Sequence, residues 1–413
     1  MKYTPHIRQI FTITVALFSL PLMAQEPATS NPYAMADKVI EEGISNKQFP
    51  GAVLVIGRGD KTLYEKAYGK HTFEAEAKPM AMDTLFDMAS VSKVVGTATT
   101  AMGLVEDGRL NIEAPVATYV NGFGAEGKDS VKVRHLLTHT SGLKSYESVD
   151  KIKRNQKNGI SSADALIMTV AQLKLSNPVG TTVTYSCLNM LTEARVNENI
   201  LGGRQDDYVT KRVYAPLGMK DTTYRPSSEQ LTRTAPAVRK PDGTDLVGVV
   251  HDPLASFHSP ELHCPGNAGV FSTGRDMARY CMMIAGLGSF NGNQIFRPET
   301  IKAMTSVQTP AGMSNLRGLG WDIYPSAPYA TPLNNMDGKR VVAHTGYTGT
   351  FIWIDMNTKA WFVLLSNRTY PNDSRESSRG ISRARQETAE IVLKNQPEYA
   401  EYFANQDKER SKR

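Results

Sequence analysis

Leu85-Phe86-Asp87-Met88-Ala89-Ser90-Val91-Ser92-Lys93 carries a Ser-x-x-Lys spacing at the head of an apolar, periodic segment. Downstream of it, Val94, Val95, Ala98, Ala101, Met102 and Val105 recur at helical spacing, and Asp107-Gly108 supplies a turn and a terminating glycine. Residues three apart share one face of a helix, so the Ser90 hydroxyl and the Lys93 amine can touch. A serine hydroxyl is a poor nucleophile until a base takes its proton, and a desolvated neutral lysine is one such base. The free N–H groups and positive dipole end at a helix start favour the anion that develops during attack. Alone, the spacing is common by chance and is better described as a capping serine and a solvated lysine. The stretches on either side of it decide between the two.

Working outward, Met35, Val39, Ile40 and Ile44 predict a helix from Pro32 to Asn46, broken by Pro50-Gly51. Ala52 to Ile56 and Thr62 to Tyr68 are apolar runs around Gly57-Arg58-Gly59-Asp60, the pattern of a β-hairpin. Ser162-Ala163-Asp164 opens a helix, and Gln205 to Tyr214 forms another that Pro216 stops. Thr273 caps a helix through Ile284, and Pro298 begins one more. Arg340 to His344, Thr350 to Asp355 and Trp361 to Ser366 read as strands, the last two joined by Asn357-Thr358-Lys359. Ser382 to Lys394 is a closing amphipathic helix, and the charged tail from Gln396 is expected to fray. Strands at both ends with helices between them predict an α/β (α+β sandwich) fold, an antiparallel sheet flanked by helices with an inserted, mostly helical region. The α/β part covers about 32–109 and 236–395, and the helical part about 110–235.

With 413 residues, 40% apolar and 21% charged, the composition is that of a globular protein. The net charge of +6 is spread without long runs, so nothing points to nucleic acid. Residues 1–24 read as a secretory signal: Lys2 and Arg8 form the charged region, and Ile10 to Ala24 is an apolar stretch too short to span a membrane. The mature chain, 25–413, is expected to be exported, most simply to the periplasm, with no transmembrane segment. Cys187, Cys264 and Cys281 are an odd set that allows one pair at most. His251, His258, His263 and Cys264 cluster within fourteen residues, but their spacing fits no zinc pattern, and neither metal nor cofactor is expected.

Three further motifs follow the first. Leu136-Leu137-Thr138-His139-Thr140-Ser141-Gly142-Leu143 joins a buried helical turn to a loop, Tyr185-Ser186-Cys187 follows the turn 178–182, and His344-Thr345-Gly346 ends a strand. With Pro50-Gly51-Ala52, Ala89-Ser90-Val91-Ser92-Lys93, Pro216-Leu217-Gly218-Met219, Gly318-Leu319-Gly320-Trp321 and Asn367-Arg368, their number and order carry a resemblance. From about Phe49 to Arg368 the chain resembles the penicillin-recognising serine hydrolases of the class C β-lactamase and DD-peptidase type, with their esterase relatives.

The resemblance implies that Ser90 is the acylated nucleophile, Lys93 its partner, and Tyr185 a general base acting with Lys93. An ordinary tyrosine titrates near ~10, so that role needs adjacent cations to support the phenolate. It also implies that His344, Thr345 and Gly346 line the site and that the Tyr347 N–H joins that of Ser90 as an oxyanion hole. Two positions depart from the family. Cys187 stands where asparagine is common, and a thiol is a far weaker partner for a substrate amide. His344 stands where many members have lysine, a change that resembles some DD-peptidases.

The expectation is thus a secreted serine hydrolase with an acyl-enzyme at Ser90, acting on D-amino-acid peptides such as cell-wall stem peptides. A carboxylesterase on the same residues and a β-lactamase are the alternatives. A catalytically silent module that binds cell-wall peptide is the rival from another class.

Overall fold

A computed structural model describes residues 1–2, 31–258, 263–324 and 341–410. Nearly all of the expected leader, together with Arg340 of the first C-terminal strand, lies outside the described residues.

The strands are β1 (Gly51–Arg58), β2 (Lys61–Gly69), β3 (Phe86–Asp87), β4 (Phe271–Ser272), β5 (Ser289–Phe290), β6 (Asn293–Gln294), β7 (Leu316–Arg317), β8 (Asp322–Tyr324), β9 (Val341–Thr345), β10 (Phe351–Asp355) and β11 (Ala360–Ser366). Seven of them form one antiparallel sheet in the order β2-β1-β11-β10-β9-β8-β7. Its central seam joins the two ends of the chain, with Ala52 opposite Ser366 and Arg58 opposite Ala360. Small two-stranded pairings, β3 with β4 and β5 with β6, lie apart from it.

Alternation along the strands divides the core in two. Ala52, Leu54, Ile56, Phe351, Trp353, Phe362 and Leu364 face the helices α1 (Ala34–Ser45) and, near the C-terminus, Arg375–Lys394. Val53, Val55, Ile352, Ile354, Val363 and Leu365 belong to the larger cluster, which continues through the inserted helices. Three helices on this side position the site: α2 (Thr99–Glu106), α3 (Val133–Leu137) and α4 (Cys187–Leu201). A fourth, α5 (Gly274–Ala285), lies directly on β1, where a β-carbon on Gly274 would sit 2.7 Å from Val53. Helices therefore cover both faces of the sheet, as expected from strands at the two ends of the chain. Trp321 and Trp353 are core residues.

Two boundaries differ from expectation. The closing helix, α6, starts at Arg375, seven residues before Ser382. Ser374 caps it by accepting from the Ser377 N–H at 3.0 Å, a polar signal that apolar periodicity does not register. The tail is also helical, from Ala400 to Arg410. Tyr399 and Phe403 are buried against the sheet, and the Tyr399 hydroxyl donates to Asp355 at 2.6 Å. Burying one such side chain contributes roughly 1.5 to 3 kcal/mol, enough to outweigh the fraying of a short charged helix. Among the described residues, no helix is long and apolar enough to cross a membrane.

Candidate active site

The nucleophile segment is not one regular helix. Ala89–Val91 is a 3₁₀ turn, Lys93–Ala98 a π turn, and only then does α2 begin. Close packing accounts for the wide turn: a β-carbon on Gly96 would lie 2.1 Å from the Tyr224 hydroxyl oxygen. Side chains take up the displaced carbonyls, with the Thr99 hydroxyl donating to Val94 O and the Thr100 hydroxyl to Gly96 O, each at 2.8 Å. Such turns cluster at functional sites.

Ala89, just before the nucleophile, has φ of 45°, a strained value for a residue with a β-carbon. Asp87 holds it there. One carboxylate oxygen accepts from the Ala89 N–H at 2.8 Å, and the other accepts from the His251 N–H at 2.7 Å. Burial pushes the Asp87 carboxyl up to about 6, against the pull of those two N–H groups.

Lys93 is fully buried and donates to Ser90 Oγ at 2.9 Å and to the Asn267 carbonyl at 2.7 Å. Burial works against its charge, but Cys187, Tyr185 and Asp252 outweigh that, and its pKa moves up. The expected contact between Ser90 and Lys93 is present. Its neighbours thus favour the charged form over the neutral base that the spacing alone suggests.

Tyr185 precedes α4, whose N-cap is Ser186. The Ser186 hydroxyl donates to Lys144 O at 2.7 Å, and its N–H donates to His139 Nδ1 at 3.2 Å. His139 thereby fixes the turn that presents Tyr185. The Tyr185 ring centroid lies 4.9 Å from Lys93 Nζ. A cavity of about 430 Å³ is lined by Ala89, Ser90, Tyr146, Tyr185, Cys187, His251, Asp252, Pro253, Ala268 and Tyr347. Nucleophile, phenol and aromatic walls thus meet in one cleft.

The strand end on the far side is drawn onto the nucleophile turn by two threonines. Thr348 donates to Asp87 O at 2.7 Å and Thr350 to Met88 O at 2.8 Å. Arg385 on α6 donates to Gly346 O and Thr350 O from behind. Among the described residues the Tyr347 N–H makes no internal hydrogen bond, which leaves it for a ligand oxygen.

Of the five residues expected to bind substrate, Cys187 and Tyr347 line the cavity. Thr345 is half-buried at the end of β9, and Gly346 is buried behind it. His344 is the clearest correction. It is only 1% exposed, and its Nδ1 lies 2.9 Å from Thr345 O, so the ring donates there. Burial, then Arg317 and Lys93, hold its pKa well below the usual histidine range. Alternation along β9 turns it inward, so it does not reach the substrate space.

Tyr146, Asp252 and Arg317 went unnoticed in the sequence. Asp252 accepts from Asn267 Nδ2 at 2.9 Å and from the Ala255 N–H at 2.8 Å, tying its loop to the one below Lys93. Of the histidine cluster, only His251 reaches the cleft, stacked 5.7 Å from the Tyr347 ring. His263 instead meets Glu198 at 2.6 Å. Among the described residues no group of three or more His, Cys, Asp or Glu could hold a metal ion. The three cysteines are unpaired.

A family model described as Beta-lactamase matches residues 36–385. The chain belongs to the beta-lactamase family. It is a serine hydrolase of that family, with similarity to proteins named as an amidase and as carboxypeptidases. The N-acetylmuramyl-L-alanine amidase of Bacillus subtilis (strain 168) is 28% identical over 360 residues, 81% of this chain and 80% of the relative. A putative D-alanyl-D-alanine carboxypeptidase of Escherichia coli O157:H7 is 25% identical over 351 residues, 78% and 79% of the two chains. Among solved structures, a class C beta-lactamase superposes with a TM-score of 0.67 at 20% identity, covering 86% of this chain and 95% of its own. That likeness confirms the beta-lactamase fold.

Proposed function

We propose that the chain hydrolyses amide bonds in cell-wall peptides containing D-amino acids, through an acyl-enzyme at Ser90. The contact of Ser90 Oγ with the buried Lys93 cation, inside a cavity that Tyr185 also lines, carries this reading. With Lys93 charged, Tyr185 is the group left to accept the serine proton. Attack on the substrate carbonyl places its oxygen against the N–H groups of Ser90 and Tyr347. The leaving amine takes the proton back through Tyr185, and water, activated by the same phenolate, releases the acyl group.

The names of the amidase and carboxypeptidase relatives support a wall peptide as substrate. Export to the periplasm is part of the proposal, from the leader at residues 1–24. A second reading, carboxylesterase, is favoured by Cys187, because the cleft wall offers a thiol where an amide would grip a peptide. Intact-mass measurement after incubation with a D-Ala-D-Ala peptide, a muramyl peptide, a penicillin and a p-nitrophenyl ester tests both. Turnover of either peptide with a transient adduct on Ser90 is expected. Adducts from the ester alone would hand the assignment to the esterase reading.

A further inference from the structure

Tyr185 has two cations beside its ring. Lys93 Nζ lies 4.9 Å from the ring centroid, and Arg317 Cζ lies 5.5 Å from it. Arg317 ends the edge strand β7 and is only 3% exposed. It pairs with Asp322 on β8 through Nη1, while its Nε and Nη2 have no partner among the described residues. An arginine buried with two of its nitrogens unspent is costly unless something nearby uses the charge.

Its neighbours cannot supply a charge of their own. His139 Nδ1 accepts from the Ser186 N–H, which leaves its proton on Nε2. His344 donates through Nδ1 to Thr345, which leaves Nε2 as an acceptor. Both rings border Tyr185, at 4.8 and 6.0 Å between centroids, and both are held neutral, first by burial and then by Arg317 and Lys93. The position from which His344 could have offered a charge is therefore silent.

We propose that Arg317 is a positioning residue for hydrolysis, a second buried cation that supports the Tyr185 phenolate through the ring and never touches substrate. The proposal rests on the reading of Tyr185 as the base. The groups that face the tyrosine are Lys93 from the nucleophile turn, His139 from the loop after α3, His344 from β9, Arg317 from β7 and Cys187 from α4. Asp252 and Tyr146 share the cavity, and behind Arg317 stand Asp322 and Tyr324 on β8. Among these groups Arg317 and Lys93 are the two that remain positive at neutral pH, since arginine does not give up its proton in proteins.

The test is the pH dependence of kcat/KM for p-nitrophenyl butyrate, whose acidic limb reports the free enzyme's base. In Arg317→Met the limb should move up by about one pH unit, with activity at pH ~7 down roughly tenfold and recovered at alkaline pH. Arg317→Lys should restore most of the shift. Asp322→Asn removes the anion that offsets Arg317, so its limb should move the opposite way. An unmoved limb in folded Arg317→Met, or a shift of the same sign in Asp322→Asn, overturns the proposal. Should Arg317→Met fail to fold, the sign of the Asp322→Asn shift decides alone. Tyr185→Phe is run alongside. If it keeps the wild-type profile, the base reading falls and this proposal with it, whereas a dead Tyr185→Phe with an unmoved Arg317→Met limb removes only Arg317.

Discussion

A β-carbon on Gly346 would sit 2.6 Å from the carbonyl oxygen of Met88 and 1.9 Å from Thr350 Oγ1. The strand end and the nucleophile turn are thus as close as backbone allows. Gly346→Ala should push them apart and misplace the Tyr347 N–H. Loss of one oxyanion donor costs on the order of 10² to 10³ in turnover. The acylation rate by mass spectrometry, with folding checked by circular dichroism, measures this, and near-normal acylation in a folded variant would detach Tyr347 from the oxyanion role.

Ser90→Ala should abolish covalent labelling, with a loss on the order of 10⁴ to 10⁶ in turnover. Lys93→Ala and Tyr185→Phe should be nearly as damaging, and combining them far less than additive, because they act as one unit. Peptide mapping of the adduct checks the first claim. An adduct on Ser90→Ala protein would end the acyl-enzyme mechanism as drawn.

His344 should contribute no charge to substrate binding. An exposed histidine would tighten binding of a peptide carboxylate as pH falls towards ~6. Buried and held neutral, His344 gives no such gain, so the dissociation constant of a D-Ala-D-Ala peptide on Ser90→Ala protein should stay flat from about pH 8 to about 6. Calorimetry reads it directly, and a clear tightening on acidification would return His344 to the binding role.

Glu193, on α4, is fully buried with neither carboxylate oxygen partnered among the described residues, and burial pushes its pKa up to about 8. The folded state binds this proton more tightly than the unfolded chain. Stability from this group is therefore full below the unfolded value near ~4.5 and falls as pH rises through about 8. Glu193→Gln should raise Tm at pH ~9 by several degrees and change it little at pH ~5. Equal effects at both pH values would mean that the carboxylate is not forced to ionise in the core.

Cys187 lines the cleft, where its thiol offers one weak donor. Cys187→Asn should raise the ratio of amide to ester kcat/KM by roughly two- to tenfold, the worth of one neutral hydrogen bond. A flat ratio in a well-folded variant would place amide recognition elsewhere.

Much of this was legible in the chain. Ser90 and Lys93 follow from helical spacing even though the helix between them is irregular, because a three-residue offset brings side chains together in 3₁₀ and α geometry alike. The long strands β1, β10 and β11 announce themselves as apolar runs. β7 and β8 do not, being two and three residues long around Gly318-Leu319-Gly320, and Arg317 was hidden with them. His344 was read by what its side chain can do. Its burial depends on which face of β9 it occupies, and that is set by strands far away in the chain. The capping serine of α6 and the buried Tyr399 were overlooked for a related reason: one is a polar signal among polar residues, the other an aromatic whose partner, Asp355, lies forty-four residues earlier.

The seam between β1 and β11 has a consequence for how the molecule comes into being. Residue 52 finds its neighbour only when residue 366 has arrived, and the nucleophile turn is clamped by threonines at 348 and 350. A growing chain holds Ser90 and Lys93 from early on but has no strand to set them against. Contacts of such sequence separation form late and slowly. The hydrolase therefore lacks a complete site through its own synthesis, until its two ends meet.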